Sequence, residues 1–286
     1  MIDTPSFFAD ADASFQEACA VLFGVPFDAT STFRKGAKDG PVAIRQASWN
    51  FETFDIYSGT DLAEIPFHDY GDIQGISSSQ DMISSVQTLM RQLLKQSKFP
   101  ICLGGEHSVT MGCITAVPKD TVVVSIDAHL DYRDNYEDNP NNHACVSKRI
   151  QEHVGAENLF ILGVRSAEKK EYKQAQQDGV TVITSQYIND VGLFHILRPL
   201  QQKITGKRVY LTIDIDGVDP AFAPGTSTPE PNGLTPDNIQ DLITLLAPNL
   251  IGCDLVEVCP AYDHGQTALL AAKLLRFLLS KVSIYP

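Results

Sequence analysis

The stretch Thr121-Val122-Val123-Val124-Ser125-Ile126-Asp127-Ala128-His129-Leu130-Asp131 decides the architecture. Its first six residues are mostly β-branched and do not alternate between apolar and polar, which marks a strand covered on both faces. Such strands belong to parallel sheets with helices above and below, because a sheet with one wet face would alternate. The polar residues that follow at once then stand beyond the strand's carboxyl end, where open α/β sheets bind their ligands.

Working outward, the same pattern recurs. Further strand candidates are residues 18–23, 100–103, 159–163, 180–183, 209–213 and 251–256, mostly short aliphatic runs. Residues 41–48, 79–95, 167–178, 236–246 and 267–279 carry apolar side chains every three or four positions, the period of an amphipathic helix. The alternation predicts an α/β fold, a single three-layer domain over residues 1–286 with a mostly parallel central sheet flanked by helices. About 150 residues per domain would allow two domains, but no linker, repeat or low-complexity tract divides the chain.

Four places put charged or imidazole side chains directly after a strand candidate: Gly104-Gly105-Glu106-His107, Asp127 to Asp131, Asp214-Ile215-Asp216, and Glu257. Asp127, His129 and Asp131 are spaced by two, so an extended backbone turns all three to one side. Asp214 and Asp216 repeat the spacing, with Ile215 pointing the other way. A single loop Asp is ordinarily a helix cap or turn former. Five such groups around one cleft are different, because a buried charge without a counter-ion costs several kcal/mol. The glycines before His107 let the chain turn sharply and bring the imidazole to the same cleft. Four carboxylates and two imidazoles suit two divalent cations, and the oxygen-rich, thiolate-free set favours Mn²⁺ over Zn²⁺.

Lys and Arg total 22 against 35 Asp and Glu, a net charge of −13. Without a basic run, the chain lacks the footprint that binding a phosphate backbone needs, so no nucleic-acid partner is expected. Asp3, Asp10 and Asp12 precede the first basic residue, Arg34, unlike the positively charged start of a signal peptide. No run approaches the roughly 18 apolar residues of a membrane span, and a cytoplasmic protein with no membrane partner is expected. The six cysteines form no Cys-x-x-Cys pair and read as buried thiols.

These motifs, in this order, resemble the ureohydrolase family of arginases and agmatinases over nearly the whole chain. The family's Gly-Gly-(Asp or Glu)-His-Ser stands at 104–108, its Asp-Ala-His-x-Asp at 127–131 and its long Asp-x-Asp segment at 214–233. Gly24-Val25-Pro26-Phe27-Asp28, Gly36-Ala37-Lys38-Asp39-Gly40-Pro41 and Glu257-Val258-Cys259-Pro260 match as well. The resemblance implies an arginase-like fold holding two Mn²⁺ ions per chain. One ion would sit on His107 and Asp131 and the other on His129 and Asp216, with Asp127 and Asp214 bridging and a hydroxide between the ions as nucleophile. It further implies that Glu257 pairs with the substrate's guanidinium. Asp131 would relay a proton to the departing amine, and His143, at the site's mouth, would exchange it with bulk water.

Within the family, Pro224-Gly225-Thr226-Ser227-Thr228-Pro229-Glu230 resembles the agmatinase form of this segment, with Ser227 replacing the usual Gly. Ala144 follows His143 where arginases usually have Gly. Arg165-Ser166-Ala167-Glu168 lacks the acidic turn with which arginases grip an α-amino group, leaving Glu168 as a partial substitute and candidate substrate contact. The expected substrate is a small cationic guanidino compound, agmatine first, cleaved to putrescine and urea in polyamine biosynthesis. Guanidinobutyrate, arginine and formiminoglutamate are the enzymatic alternatives; a metal-dependent guanidine-binding protein without hydrolysis is the reading outside the enzymes. Residues 132–142, polar and aperiodic, are expected to form a specificity loop over the site. Arg133 or Lys148 beside it would be the partner for a guanidinobutyrate carboxylate. The family also implies a homo-oligomer, trimer or hexamer.

Overall fold

Alternate residues of the central strands point to opposite faces of one sheet, and this divides the core in two. In β1 (Ala20–Gly24), Ala20 and Leu22 enter one apolar cluster while Val21 and Phe23 enter the other. The structure, a computed structural model, describes residues 6–282. Its other strands are β2 (Phe54–Asp55), β3 (Thr60–Asp61), β4 (Phe67–Asp72), β5 (Phe99–Leu103), β6 (Val122–Ile126), β7 (Leu159–Val164), β8 (Thr181–Thr184), β9 (Val209–Asp214) and β10 (Leu250–Val256). The α-helices are α1 (Gly40–Ser48), α2 (Ser79–Lys95), α3 (Val109–Ile114), α4 (Val146–Val154), α5 (Lys169–Asp178), α6 (Ser185–Val191), α7 (Phe194–Ile204), α8 (Pro236–Leu246) and α9 (Gln266–Lys281).

Eight strands form one sheet in the order β4-β1-β5-β10-β9-β6-β7-β8, and every pairing in it is parallel. Ile44 of α1, Ile196 of α7, Leu242 of α8 and Leu274 of α9 fill the core on one face. Met82 of α2, Val109 of α3, Ile150 of α4 and Ala175 of α5 fill it on the other. The result is the three-layer α/β architecture expected from the strand runs, with a wholly parallel main sheet. β2 and β3 make a small antiparallel pair of their own.

Several elements depart from the sequence reading, and α3 and α4 fall where no helix was expected. The edge strand β4 was not expected, because Phe67-His68-Asp69-Tyr70-Gly71-Asp72 is polar. It is held from α1, where Arg45 Nε lies 2.7 Å from Asp69 Oδ2 and Nη1 2.5 Å from Asp72 Oδ1. Helices α6 and α7 were also unforeseen, since Gly192 separates them and Pro199 sits inside α7, which interrupts the helical period. The helix expected from residue 167 begins at Lys169, with Glu168 extended at its N-cap. Cys102, Cys113, Cys145, Cys253 and Cys259 are buried free thiols, and Cys19 is partly covered. Among the described residues, no helix is long and apolar enough to cross a membrane.

Candidate active site

The sheet order places β5, β10, β9 and β6 side by side, so four segments far apart in the chain end in one cleft. His107 and Glu257 are 150 positions apart, yet the His107 N–H donates to Glu257 Oε1 at 2.7 Å. Gly104 and Gly105, expected to allow a sharp turn, serve close packing, and neither has a positive φ. A Cβ on Gly105 would collide with the Phe27 carbonyl, and one on Gly104 would lie 2.5 Å from Val256 Cγ1. The left-handed residues are instead Asp131 (φ 47) and Glu257 (φ 64), a conformation that costs a non-glycine about 1–3 kcal/mol. The Asp131 carbonyl accepts from Ser147 N at 3.0 Å, and Glu257 N donates to the Gly105 carbonyl at 2.8 Å.

All six candidate ligands converge. His107 Nδ1 lies 3.2 Å from Asp127 Oδ2, 3.2 Å from Asp131 Oδ2 and 3.3 Å from Asp214 Oδ2. His129 Nδ1 lies 2.9 Å from Asp216 Oδ2 and 3.8 Å from Asp127 Oδ1. Two overlapping sets have ligand atoms within 4.8 Å of one another: His107, Asp127 and Asp214, and Asp127, His129 and Asp216. Asp127 is common to both, whereas Asp214 joins the first alone and Asp131 adds its oxygen beside His107.

The electrostatics call for added positive charge. Burial and the nearby Asp131 push the Asp127 carboxyl up to about 7, and burial with the charges of Asp216 and Asp127 raises Asp214 well above the carboxylate range. Burial opposes the charge on His129, but Asp216 overrides it and raises the imidazole to about 10. Burial would likewise raise Asp216, yet His129 holds it low. Asp127 Oδ2 is buried and accepts no hydrogen bond from the described residues, which is costly for a carboxylate. Oxygen donors crowded around two imidazoles, one left unsatisfied, fit a pair of divalent cations that would displace those protons.

Around the ligands lies a layer of hydroxyls and carboxylates that the motifs did not disclose. Thr212 Oγ1 donates to Asp254 Oδ1 at 2.6 Å and lies 3.3 Å from His107 Nε2. Its proton is thereby committed, so Nε2–H donates to it and Nδ1 is the nitrogen that faces the carboxylates of the cleft. Thr110 and Tyr210 complete the shell of the fully buried Asp254. The one available signal was a carboxylate inside the apolar run 251–256, where burial demands partners.

A second hydroxyl fixes His143 in the same way. Thr30 Oγ1 donates to the buried Glu106 at 2.5 Å, and it accepts from His143 N at 3.0 Å with His143 Nδ1 3.2 Å away. Nδ1 therefore carries a proton, and Nε2 is the nitrogen free to gain and lose one. Glu257 is gripped by His107 N–H on Oε1 and by the Ser227 hydroxyl on Oε2. Burial pushes its carboxyl up to about 6, with His143 and Ser227 opposing.

The cleft opens into a cavity of about 160 Å³ whose walls include His129, Asp131, Asp214, Asp216 and Glu257. His143, Ala144 and Glu168 line it as well, Glu168 from an exposed position at the start of α5. The 132–142 loop contributes Arg133 and Tyr136, although Tyr132 is buried and donates to Asp178 at 2.8 Å. Lys148 does not reach this cavity; it pairs with Asp178 at 2.8 Å. Arg165 also serves structure, donating to the carbonyls of Asp216 and Glu230 at 2.6 and 2.7 Å.

Paired His and Asp ligands at the ends of central parallel strands, with a buried Glu held across from them, are the working parts of a metal-dependent ureohydrolase. The chain belongs to the Arginase family, whose sequence model matches residues 18–280. It is 36% identical over 283 residues to an agmatinase of Bacillus cereus, covering 95% of this chain and 94% of that protein. It is also 36% identical over 273 residues to the N(1)-aminopropylagmatine ureohydrolase of Thermococcus kodakarensis, covering 94% and 92%. The crystal structure of agmatine ureohydrolase of Thermoplasma volcanium superposes with a TM-score of 0.94 at 37% identity, covering 99% of this chain and 96% of that one.

Proposed function

We propose that the protein hydrolyses agmatine to putrescine and urea. The observation that carries this reading is Glu257, a buried carboxylate fixed by His107 N–H and Ser227 on the wall that also presents the His–Asp clusters. A carboxylate accepts about four hydrogen bonds, so two lone pairs remain for a planar guanidinium. The proposed cofactor is two Mn²⁺ ions; His107 and Asp131 would hold one and His129 and Asp216 the other, with Asp127, common to both clusters, and Asp214 contributing to the pair. Bound there, such ions lower the pKa of a water enough to provide a nucleophile near neutral pH.

The chain's own groups do the rest. Glu257, ionised at neutral pH, orients the guanidinium carbon toward the clusters. Asp131 takes the proton given up by water and passes it to the nitrogen of the tail as the carbon–nitrogen bond breaks, which leaves urea and a primary amine. His143 Nε2 restores the proton balance with solvent. Glu168 and Glu171 on the cavity wall favour a tail ending in an ammonium. Arg133, though present there, already faces Glu171 at 3.9 Å and stacks on Tyr136, so its charge is not free for a substrate carboxylate.

Urea release from agmatine, arginine, guanidinobutyrate and formiminoglutamate with Mn²⁺ present tests the proposal. Agmatine should exceed arginine by at least about 10²-fold in kcat/KM, the scale set by leaving a carboxylate without partners. Comparable arginine turnover would overturn the substrate assignment, and guanidine binding without urea would overturn hydrolysis. A place in polyamine biosynthesis, a cytoplasmic location and a homo-oligomer of three or six chains belong to the same proposal. The net charge of −13 supports a partner list without nucleic acid.

A further inference from the structure

A second cavity of about 520 Å³ adjoins the active-site cavity, and Arg133, Glu168 and Glu171 line both. Arg133 stands in this partition. Its guanidinium carbon lies 4.3 Å from the centre of the Tyr136 ring, and its Nε is 3.9 Å from Glu171 Oε2. Glu171 is fixed, accepting from Glu168 N at 2.6 Å and Tyr132 N at 3.1 Å. The Arg133 backbone is tied to the Ala144 carbonyl at 3.2 Å, but its side chain is 32% exposed and is the movable part of the partition. Beyond it, the larger cavity adds Asp134, paired with Arg149 at 2.8 Å, Lys148, paired with Asp178 at 2.8 Å, and Lys170.

We propose that Arg133 sets the length of guanidino amine the site accepts: it closes the active-site cavity behind a short tail and keeps a longer, doubly cationic tail out of the cavity beyond. The inference rests on the ureohydrolase reading and deepens it. A tail the length of agmatine's ends on the near side of Arg133. A tail extended by an aminopropyl group keeps its secondary nitrogen where agmatine's ammonium ends and would have to carry its terminal ammonium across the partition. Arg133 opposes this twice, by filling the passage and by presenting like charge to the ammonium that must cross it.

The test compares the parent with Arg133→Ala and Arg133→Lys on agmatine and N(1)-aminopropylagmatine. Arg133→Ala should raise the ratio of kcat/KM for the longer amine over agmatine by at least about tenfold, whereas Arg133→Lys, which keeps the charge, should stay much closer to the parent. Calorimetry with the product amines putrescine and spermidine provides a readout that needs no turnover. The affinity of spermidine relative to putrescine should rise by a similar factor in Arg133→Ala. A parent that already prefers the longer amine, or a variant in which both ratios are unchanged while overall rates fall, overturns the proposal. If the parent releases no urea from either guanidine, the hydrolytic reading fails, and the spermidine-to-putrescine comparison still decides whether Arg133 is the partition.

Discussion

Ser227 shows what one side chain adds to the candidate site. Its hydroxyl donates to Glu257, so it fixes the orientation of the carboxylate proposed to meet the guanidinium. Hydrogen bonds to charged groups contribute about 1.5–3 kcal/mol, and Ser227→Gly should lower kcat/KM by about tenfold or more, read by steady-state kinetics with metal content unchanged. A rate equal to the parent would assign the hydroxyl no part in holding Glu257. His143→Asn should keep both metals and lose about 10²- to 10⁴-fold in rate; loss of metal instead would contradict the proton-transfer role. Single residues were legible where they follow a strand at a spacing of two, as Asp127, His129 and Asp131 do. Thr30 and Glu106 were not, because a hydroxyl that fixes the tautomer of His143 from 113 positions away leaves no local pattern.

At the scale of elements, the strand ends carry the chemistry and the strand interiors tune it. β10 supplies both, with Glu257 just past its end and Asp254 inside it, reaching His107 through Thr212. Asp254→Asn would keep the size of the side chain and remove the charge behind this chain of hydrogen bonds. The expected outcome is weaker binding of the ion on the His107 side by about 10- to 100-fold, the scale of lost support behind a metal-ligating histidine. Metal titration followed by calorimetry should show it as a second, weaker phase, and two unchanged phases would make the network purely a packing device. The helices with unbroken period, α2 and α8, were legible to the residue, since Ser78 and Thr235 cap them with side-chain hydrogen bonds. β4 was illegible because its partner is Arg45 from another element, and α7 because Pro199 hides its period.

Across the whole molecule, the buried carboxylates couple the site to stability. Asp127 and Asp214, whose carboxyls burial in this fold raises, oppose folding until cations balance them. Ligands that bind only the native state add roughly 2.7 kcal/mol at a hundred times their Kd. Chelation should therefore lower the Tm by several degrees without loss of helical signal, and Mn²⁺ should restore it; a metal-independent Tm would mean the carboxylates are balanced within the chain. Runs such as 122–126 disclosed that the sheet is parallel, but not that β9 and β10 lie between β5 and β6, because strand order depends on crossovers that no single run encodes. That order has a consequence for biogenesis. As the chain is synthesised, β4, β1 and β5 can form one half-sheet and β6, β7 and β8 another, each with a bare inner edge that could recruit a strand from a neighbouring nascent chain. Only when the last two strands are made do the halves join, and the same insertion delivers Asp214, Asp216 and Glu257. A chain that stops short of β9 lacks Asp214, Asp216 and Glu257 and so cannot carry the full set of site residues.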